Sequence, residues 1–422
     1  MQNSSSLKTY EILHIPYSGF HSDLFSVNFF VPLKRETVSA YALVASILTT
    51  CSEEFKDYRE LNIKLSSLYG ADMSSSVTKI GDYLCIKFSV STIKDLYAFN
   101  GEKPMEEAIR LLLAQLFKPN FENGVFCEKD IKRESRILIE HIESELNNKR
   151  LFARAKMIEN MFCDEDYGVF RYGDTKSIKA LTAQGLKTAW EDMLNTAFVK
   201  INVIGETLSD NLVNEIDALF GSLKREKIID INNTKSAKTA KSVKRVTENY
   251  DVAQGKLVMG FNCLQGTDKD TVGTLVMCDI FGGGPYSRLF TNVREKLSLC
   301  YYCSAYSIRN KGFIMVDSGV EAQNALVAET EIINQLNQVK NGEFTEQEFT
   351  ASIKGITDTL LASYDNLNAL DAWYTARALE EKALSPKELA DCVQKVTKEE
   401  VVKAAQAVIL NTVYKLMPKE EK

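Results

Sequence analysis

The chain has 422 residues, of which 45% are hydrophobic and 26% charged, and its formal net charge is −6. At about 150 residues per domain, this length allows two or three domains, and the composition is that of a globular protein able to bury a core. The acidic balance argues against nucleic-acid binding, which usually needs a concentrated basic face. The one basic cluster, residues 235–245, lies among Asn, Thr, Ser and Ala, which is typical of a solvated linker.

The sequence predicts neither secretion nor insertion into a membrane. Residues 1–8 are polar and lack the apolar core of a secretory signal. No run approaches the roughly 18 apolar residues that a spanning helix needs. The nine cysteines are an odd number scattered through apolar segments, which indicates reduced thiols rather than a disulfide framework. We therefore expect a cytoplasmic chain with no membrane partner.

The first half of the chain predicts a run of strands and helices that begins with an apolar strand. Gly81-Asp82 between two alternating runs predicts a hairpin. In order, the predicted elements are a strand (24–33), helices (38–51 and 58–68), hairpin strands (73–80 and 83–90), a helix (105–116), a long helix (128–158), a helix (183–194) and a strand (199–204).

The second half repeats this order. Its predicted elements are a strand (256–263), helices (270–281 and 287–297), hairpin strands (300–306 and 312–319), helices (322–339, 345–366 and 397–410) and a strand (412–417). Strands that neighbour each other through hairpins, with helices gathered in runs, favour an α+β fold built on antiparallel sheets.

Short matches at a constant offset indicate that the two halves are copies. The Lys-Leu-Ser of 64–66, the tyrosine at 69 and the strand at 29–31 recur in the same order at 296–298, 301 and 261–263. Collinear matches of this kind indicate internal duplication. We therefore predict an N-terminal domain (1–222), a polar linker (223–250) and a homologous C-terminal domain (251–422).

Cys300 and Cys303 form a CxxC, but it falls within a predicted strand. Because residues three apart on a regular strand face opposite sides, we expect neither a shared metal nor a redox pair there.

The segment around Gly282-Gly283-Gly284 is the most informative part of the chain. A glycine turn leads into a short amphipathic helix that carries Arg294, and Tyr301 follows at the start of a strand. The patterns of nucleotide-binding loops are missing, so we expect the glycines to permit positive φ and a close backbone approach. Without further context, Arg294 and Tyr301 would be a helix arginine in salt bridges and a packed edge tyrosine.

Over essentially its whole length, a duplicated α+β chain with this segment resembles the insulinase/pitrilysin-type zinc peptidases, in particular the short bacterial subunits that pair into clamshells. The run GGGPYSRLFTNVREKLSLCYY, residues 282–302, looks like the glycine turn and Arg/Tyr pair of that family. Residues 147–150, with 167–174, are similar to the pseudopeptidase subunits connected with elongation factor P aminopentanol modification.

The resemblance also exposes what this chain lacks. In an active member the first-half apolar helix carries His-x-x-Glu-His, and a glutamate on the long downstream helix completes the zinc site. Helix 38–51 has neither His nor Glu, and on the long helix Glu134 is followed by His141 where the family shows a second glutamate. His14 and His21 form no ligand pair. We expect no metal on this chain, no peptide cleavage by it alone, and a surface role for His141.

What remains resembles half of a catalytic site. The resemblance implies that Arg294 and Tyr301 act catalytically across a cavity from zinc on a partner, donating hydrogen bonds to a peptide carbonyl and to the oxyanion. It assigns substrate binding to Arg288 and to the three glycines, Gly282, Gly283 and Gly284. The expected partner is a similar two-domain subunit with an intact zinc motif, and the expected substrate is a peptide.

Two other functions stay open at this point. The chain could be a scaffold or peptide-binding pseudoenzyme that serves a protein-modification pathway without proteolysis. It could also be an independent hydrolase, although no Ser/Cys–His constellation is visible among so few histidines.

Overall fold

The computed structural model describes residues 10–231 and 234–419. The strands are β1 Glu11–Ile15, β2 Ser22–Pro32, β3 Asp72–Ile80, β4 Tyr83–Ile93, β5 Phe121–Glu122, β6 Val125–Phe126, β7 Phe198–Ile204, β8 Lys244–Tyr250, β9 Gly255–Asn262, β10 Cys300–Ile308, β11 Phe313–Val320 and β12 Ile409–Pro418. The helices are α1 Val38–Leu48, α2 Tyr58–Ser67, α3 Pro104–Phe117, α4 Glu128–Asn147, α5 Lys149–Met161, α6 Thr175–Lys179, α7 Ala183–Thr196, α8 Asp210–Gly221, α9 Asp268–Gly282, α10 Ala325–Lys340, α11 Glu346–Ala362, α12 Leu367–Ala376, α13 Pro386–Val393 and α14 Lys398–Gln406. Leu289–Lys296 is a π-helix. In the described ranges, no helix is long and apolar enough to cross a membrane.

Local chemistry explains where several helices begin. Thr345, Ser385 and Thr397 each precede a glutamate by three residues, and each pair forms a capping box at the start of α11, α13 or α14. The side-chain oxygen accepts from the N3 backbone amide while the glutamate accepts from the N-cap amide, so two otherwise unpaired amides are satisfied. These starts could be read from the sequence.

Unit 1 comprises Met1–Ile142, Arg171–Asn233 and Tyr364–Glu381 and is built on a five-stranded sheet of order β1-β7-β2-β4-β3. The pairs from β7 to β3 are antiparallel, whereas β1 runs parallel to β7. The central strand β2 is almost wholly buried, with Phe29 opposite Ile86 on one side and Val199 on the other. α1 buries ten of its eleven residues, as an all-round apolar helix should.

Unit 2 comprises Glu143–Phe170, Thr234–Ser363 and Lys382–Lys422 and repeats the same sheet, in the order β8-β12-β9-β11-β10. Here too the edge strand is parallel, since β8 pairs with β12 in that sense, while the remaining pairs are antiparallel. The identical strand order confirms the duplicated α+β fold. The parallel edge strands were not predicted from the sequence, and β8 lies inside the segment that was predicted to be a linker.

The compact units are not continuous in sequence, and in this they differ from the predicted division into 1–222, 223–250 and 251–422. α12 belongs to unit 1, where buried Asp371 accepts hydrogen bonds of 2.8 Å from both Ser26 Oγ and Asn202 Nδ2 and forms an ion pair with Lys87. Leu370 of the same helix joins an apolar cluster with Ile15, Leu24 and Ile204. A helix late in the chain is thus part of the first core.

α5 belongs to unit 2, where it contacts residues much later in the chain. Arg150 Nε donates to the buried Asp317 Oδ2 at 2.6 Å, and the helix crosses β9 closely. A Cβ added at Gly260 would lie 2.7 Å from the sulfurs of Met157 and Met161, so a larger residue there would require both methionine side chains to move.

The single long helix predicted over 128–158 is wrong, because the chain forms two helices there. α4 ends at Asn147, and Asn148 caps α5 by accepting from the backbone amides of Arg150 and Leu151 at 3.0 and 3.3 Å. Asparagine at an N-cap competes with helix continuation, and that local effect prevailed over the continuous amphipathic pattern.

Candidate functional site

The contact between α1 and α4 in unit 1 is where the resemblance places a metal site. α1 presents Ser46, whose Oγ donates to Glu134 Oε2 at 2.6 Å. Glu134 is only 2% exposed, so its carboxylate depends on partners within the protein.

Arg133 supplies most of those partners. Its guanidinium donates to Glu134 Oε1 at 2.8 Å, to Asp130 Oδ1 at 2.9 Å and to Thr50 Oγ1 at 3.2 Å. Asp130 is also buried, and it accepts a further bond of 2.8 Å from Asn120 Nδ2. A single guanidinium therefore forms ion pairs with both carboxylates of this contact.

This donor set does not fit a catalytic zinc ion. Zinc in such sites takes three protein ligands, most often imidazoles with a carboxylate. Here the Arg133 guanidinium contacts two carboxylates and the Thr50 hydroxyl, while the Ser46 hydroxyl donates to Glu134. The guanidinium would also repel a divalent cation. His141, on the exposed face of α4, instead lies edge-on against Tyr172, with 5.4 Å between ring centroids. Within the described residues, no group of three or more His, Cys, Asp or Glu side chains could hold a metal ion.

Unit 2 contains an open cleft of about 370 Å³ at the start of β10. Arg294 and Tyr301 both line this cleft. The complete lining is Arg294, Glu295, Ser298, Leu299, Cys300, Tyr301, Glu321 and Asn324.

The π-helix determines where Arg294 lies. Leu289 and Val293 are buried on its inner side, and the guanidinium of Arg294 stacks over the ring of Phe290, with 4.5 Å from Cζ to the ring centroid. π-helical turns are rare and occur frequently at functional sites. After the helix, Ser298 adopts a positive φ of 52°, which turns the chain into β10.

Both candidate donors in the cleft have an acidic neighbour. Arg294 Nε lies 3.5 Å from Glu295 Oε1, and Tyr301 Oη donates to Glu321 Oε1 at 3.2 Å. That hydrogen bond raises the pKa of Tyr301. Tyr301 is 58% exposed and the side chain of Arg294 is 39% exposed, so a ligand could reach both groups. The cleft thus combines a guanidinium and a phenol with two carboxylates.

Arg288 does not reach this cleft. It is 9% exposed, and its guanidinium donates to Gln335 Oε1 at 2.9 Å, to the Glu343 carbonyl at 2.8 Å and to Glu348 Oε1 at 3.4 Å, with a further bond to Gln338. These bonds join the π-helix segment to α10 and α11. The structure therefore gives Arg288 a packing role and offers no support for contact with substrate.

The three glycines do not line the cleft either, and the expectation of positive φ is wrong, since all three fall outside the positive-φ residues. Their need for glycine is steric. An added Cβ would lie 2.7 Å from Ala305 at Gly282, about 2.5 Å from the Asp279 carboxylate at Gly283 and 2.8 Å from the Tyr286 ring at Gly284. Substrate binding by these residues stays a prediction without structural support.

One acidic group anchors this turn. Tyr286 Oη lies 2.9 Å from each carboxylate oxygen of Asp279 and donates to that carboxylate. Burial raises the pKa of Asp279 to about 6, and the hydrogen bond from Tyr286 opposes that rise.

The expectation that Cys300 and Cys303 face opposite sides of a strand is wrong. The register of β10 against β11 shifts between Cys300 and Tyr302, so Tyr301 is an extra residue on the strand. Because of this bulge, Cys300 and Cys303 are both buried, contrary to the alternation expected of a regular strand. Only a signal for the bulge could have revealed this, and the sequence carries none.

The comparisons with known proteins agree with one another. Residues 180–356 match the family described as peptidase M16 inactive domain. Among sequence relatives, the probable inactive metalloprotease YmfF of Bacillus subtilis is 28% identical over 384 residues, or 91% of this chain and 90% of that protein.

Solved structures share the fold over nearly the whole chain. A conserved protein from Enterococcus faecalis superposes with a TM-score of 0.87 at 24% identity and covers 99% of both chains. The peptidase M16 inactive domain from Pseudomonas fluorescens gives a TM-score of 0.77 at 17% identity, covering 98% of this chain and 97% of that one.

Proposed function

The chain belongs to the insulinase-like M16 peptidase family as an inactive member, and from this premise we propose that it is the substrate-binding subunit of a heterodimeric zinc metallopeptidase. Its partner is a homologous two-domain subunit that carries zinc and the general base. This chain contributes Arg294 and Tyr301. The heterodimer hydrolyses peptides in the cytoplasm. The link to elongation factor P modification remains a prediction.

One observation carries the proposal: Arg294 and Tyr301 line one open cleft, while the α1–α4 contact is filled by Arg133. A guanidinium is always charged and a phenol is a neutral donor, so together they suit a peptide carbonyl that becomes an oxyanion. The metal-dependent steps belong to the partner, because the donor set between α1 and α4 does not fit zinc.

The carboxylates of the cleft must give way in this role. Glu295 and Glu321 hold the two donors loosely, at 3.5 and 3.2 Å, and both contacts are solvent-exposed. Exposed contacts of this kind contribute little to stability, so a peptide carbonyl can replace them at little cost.

The test is peptide hydrolysis by the chain alone and mixed with the zinc-motif homologue encoded beside it, with and without a chelator. We expect cleavage of an unstructured peptide mixture only by the mixed proteins, and its loss with the chelator. Arg294→Ala combined with Tyr301→Phe should lower kcat by roughly 100-fold or more, the usual effect of removing oxyanion donors.

A matched control keeps this test specific. Lys296→Ala with Tyr58→Phe changes a neighbouring exposed cation and a tyrosine of similar exposure, 55% against 58% for Tyr301, and should retain full activity. Size-exclusion chromatography separates lost assembly from lost catalysis. Unchanged cleavage by the Arg294/Tyr301 double variant within an intact complex would refute the proposal.

The acidic side chains of the cleft favour one rival function. Because Glu295 and Glu321 already accept from the two donors, the cleft could bind peptides without stabilising an oxyanion. A stable complex that cleaves nothing would establish this scaffold or peptide-binding role in place of the peptidase subunit.

A further inference from the structure

Two ion pairs of opposite polarity hold one helix on each sheet. In unit 1 the carboxylate of Asp371 on α12 pairs with the ammonium of Lys87 on β4. In unit 2 the guanidinium of Arg150 on α5 pairs with the carboxylate of Asp317 on β11. Both aspartates are fully buried. The helix therefore carries the acid in unit 1 and the base in unit 2.

The two strand residues occupy matching places in their sheets. β4 and β11 are each the second strand from the end, next to β3 and β10. Counted from Tyr83 and Phe313, where the two strands begin, Lys87 and Asp317 are each the fifth residue. One half of the chain thus presents a cation where the other half presents an anion.

Each of these helices packs in the unit that the preceding helix does not belong to. α5 closely follows α4, most of which is in unit 1, but α5 itself is part of unit 2. α12 closely follows α11 of unit 2 but is part of unit 1. Because the two sheets have the same strand order, the folding chain must select between two similar surfaces for each helix.

The sheet surface under α12 suits an anion. Asp371 Oδ1 accepts from Ser26 Oγ and Asn202 Nδ2, both at 2.8 Å, and Lys87 pairs with the other carboxylate oxygen. These donors come from three different strands. An arginine in the place of Asp371 would lie against the Lys87 ammonium, and like charges in a buried contact repel each other strongly.

The sheet surface under α5 suits cations. Asp317 accepts from Arg150 Nε at 2.6 Å and from Tyr302 Oη at 3.3 Å. Arg154 Nε lies 4.0 Å from the same carboxylate. The guanidinium of Arg150 stacks over the Tyr302 ring and that of Arg154 over the Tyr306 ring, with 4.1 and 4.9 Å from Cζ to the centroids. Because aromatic faces carry negative potential, this surface attracts a guanidinium and repels a carboxylate.

Lys256 is a third cation near this surface, and it does not compete for the carboxylate. Its ammonium lies 5.8 Å from the centroid of the Tyr302 ring but donates to Gln254. Asp317 is thus left to the arginines of α5.

We propose that these ion pairs direct the two helices to their sheets: like charges exclude α5 from the unit 1 sheet and α12 from the unit 2 sheet. Burying an unpaired charge is strongly unfavourable, whereas replacing a buried pair by uncharged side chains of similar size often costs no stability. The pairs therefore act on the choice between two packings more than on the stability of the correct one.

The first test reverses the charges in the full chain and follows backbone hydrogen exchange by mass spectrometry. Reversing only the strands, with Lys87→Asp and Asp317→Lys, places like charges under both helices. We expect the amides of α5 and α12 then to exchange roughly tenfold faster or more. Adding Arg150→Asp and Asp371→Lys gives each unit the polarity that the other one has. This full reversal should restore exchange to within about threefold of the wild type.

The matched control reverses an ion pair that holds no helix on a sheet. Arg136 and Glu140 lie on α4 with side chains 70% and 61% exposed. Arg136→Glu with Glu140→Arg should leave the exchange of α5 and α12 unchanged.

A neutral variant separates direction from stability. Lys87→Met, Asp371→Asn, Arg150→Met and Asp317→Asn together remove all four charges, and the two asparagines keep acceptor oxygens for the neighbouring donors. The melting temperature should stay within a few degrees of the wild type. The yield of native protein on refolding from urea, measured by the protection of both helices, should fall by about half, since neither helix is excluded from the wrong sheet.

Three results would overturn the proposal. If the full reversal exchanges as fast as the strand reversal, the sign of the charges does not direct the helices. If the neutral variant refolds with the wild-type yield, the ion pairs are not needed for the choice. If the neutral variant is unfolded at equilibrium, the pairs act on stability alone.

Discussion

The α1–α4 contact of unit 1 and the cleft of unit 2 contain the same chemical groups, an arginine, carboxylates and a hydroxyl, with opposite results. The Arg133 guanidinium donates hydrogen bonds to Glu134, Asp130 and Thr50. The carboxylates of Glu134 and Asp130 are both buried. Arg294 has one loose carboxylate contact at 3.5 Å and faces open space. The residue types alone do not identify a site. What distinguishes the two places is how much hydrogen-bonding capacity the protein leaves to a ligand.

The largest expected effect comes from removing the cation of the α1–α4 contact. Arg133→Ala leaves two buried carboxylates without their cation, which should cost about 3–5 kcal/mol of unfolding free energy. Both tryptophans, Trp190 and Trp373, lie in unit 1, so urea unfolding followed by tryptophan fluorescence reports on this unit.

Arg136→Ala is the control on the same helix, since its side chain is 70% exposed and its pair with Glu140 is a distant 3.6 Å. It should change stability by less than about 0.5 kcal/mol. Equal effects of the two variants would mean that the ion pairs of Arg133 with Asp130 and Glu134 do not stabilise unit 1.

The second effect is a pH dependence in unit 2. Asp279 titrates with a pKa of about 6 in the folded chain and about 3.9 when unfolded, so the folded state holds more protons between those values. Its contribution to stability is therefore fully present below pH 4, and about 2–3 kcal/mol is lost as the pH rises through 6.

Thermal denaturation followed by circular dichroism across pH 4–7 measures this loss. Asp279→Asn should abolish this pH-dependent loss of stability. The stability of the variant relative to the wild type should therefore increase as the pH rises. Tyr286→Phe removes the bond that lowers the Asp279 pKa, so the loss should move to higher pH. If the melting temperature of Asp279→Asn depends on pH as the wild type does, Asp279 is not the titrating group.

The smallest expected effect distinguishes cleft residues from packing residues within one segment. Arg294→Ala and Tyr301→Phe should each leave the melting temperature nearly unchanged, since both side chains are exposed. Arg288→Ala should cost about 2–4 kcal/mol of unfolding free energy, because it leaves acceptors on α10, on α11 and in the loop between them without a donor. If thermal denaturation shows a larger loss of stability for Arg294→Ala than for Arg288→Ala, the division into a packing Arg288 and an exposed cleft Arg294 is wrong.

The sequence by itself determined the duplication, the α+β class and the loss of the zinc motif. These depend on local signals, namely the hydrophobic periodicity, the capping boxes, the Gly-Asp hairpin and the absence of His and Glu from α1, which the chain carries wherever it folds. The Arg294/Tyr301 pair was singled out from its sequence context, and both side chains line one cleft; their role in catalysis stays a prediction.

Only the tertiary structure decided the rest, because those features depend on residues distant in the chain. α5 and α12 join their units through Asp317 and Asp371, partners separated from Arg150 and Ser26 by 167 and 345 positions. The parallel edge strands β1 and β8 depend on pairing with strands late in each half. The bulge at Tyr301 arises from the register between β10 and β11, and it buries both cysteines of a CxxC that a regular strand would place on opposite faces.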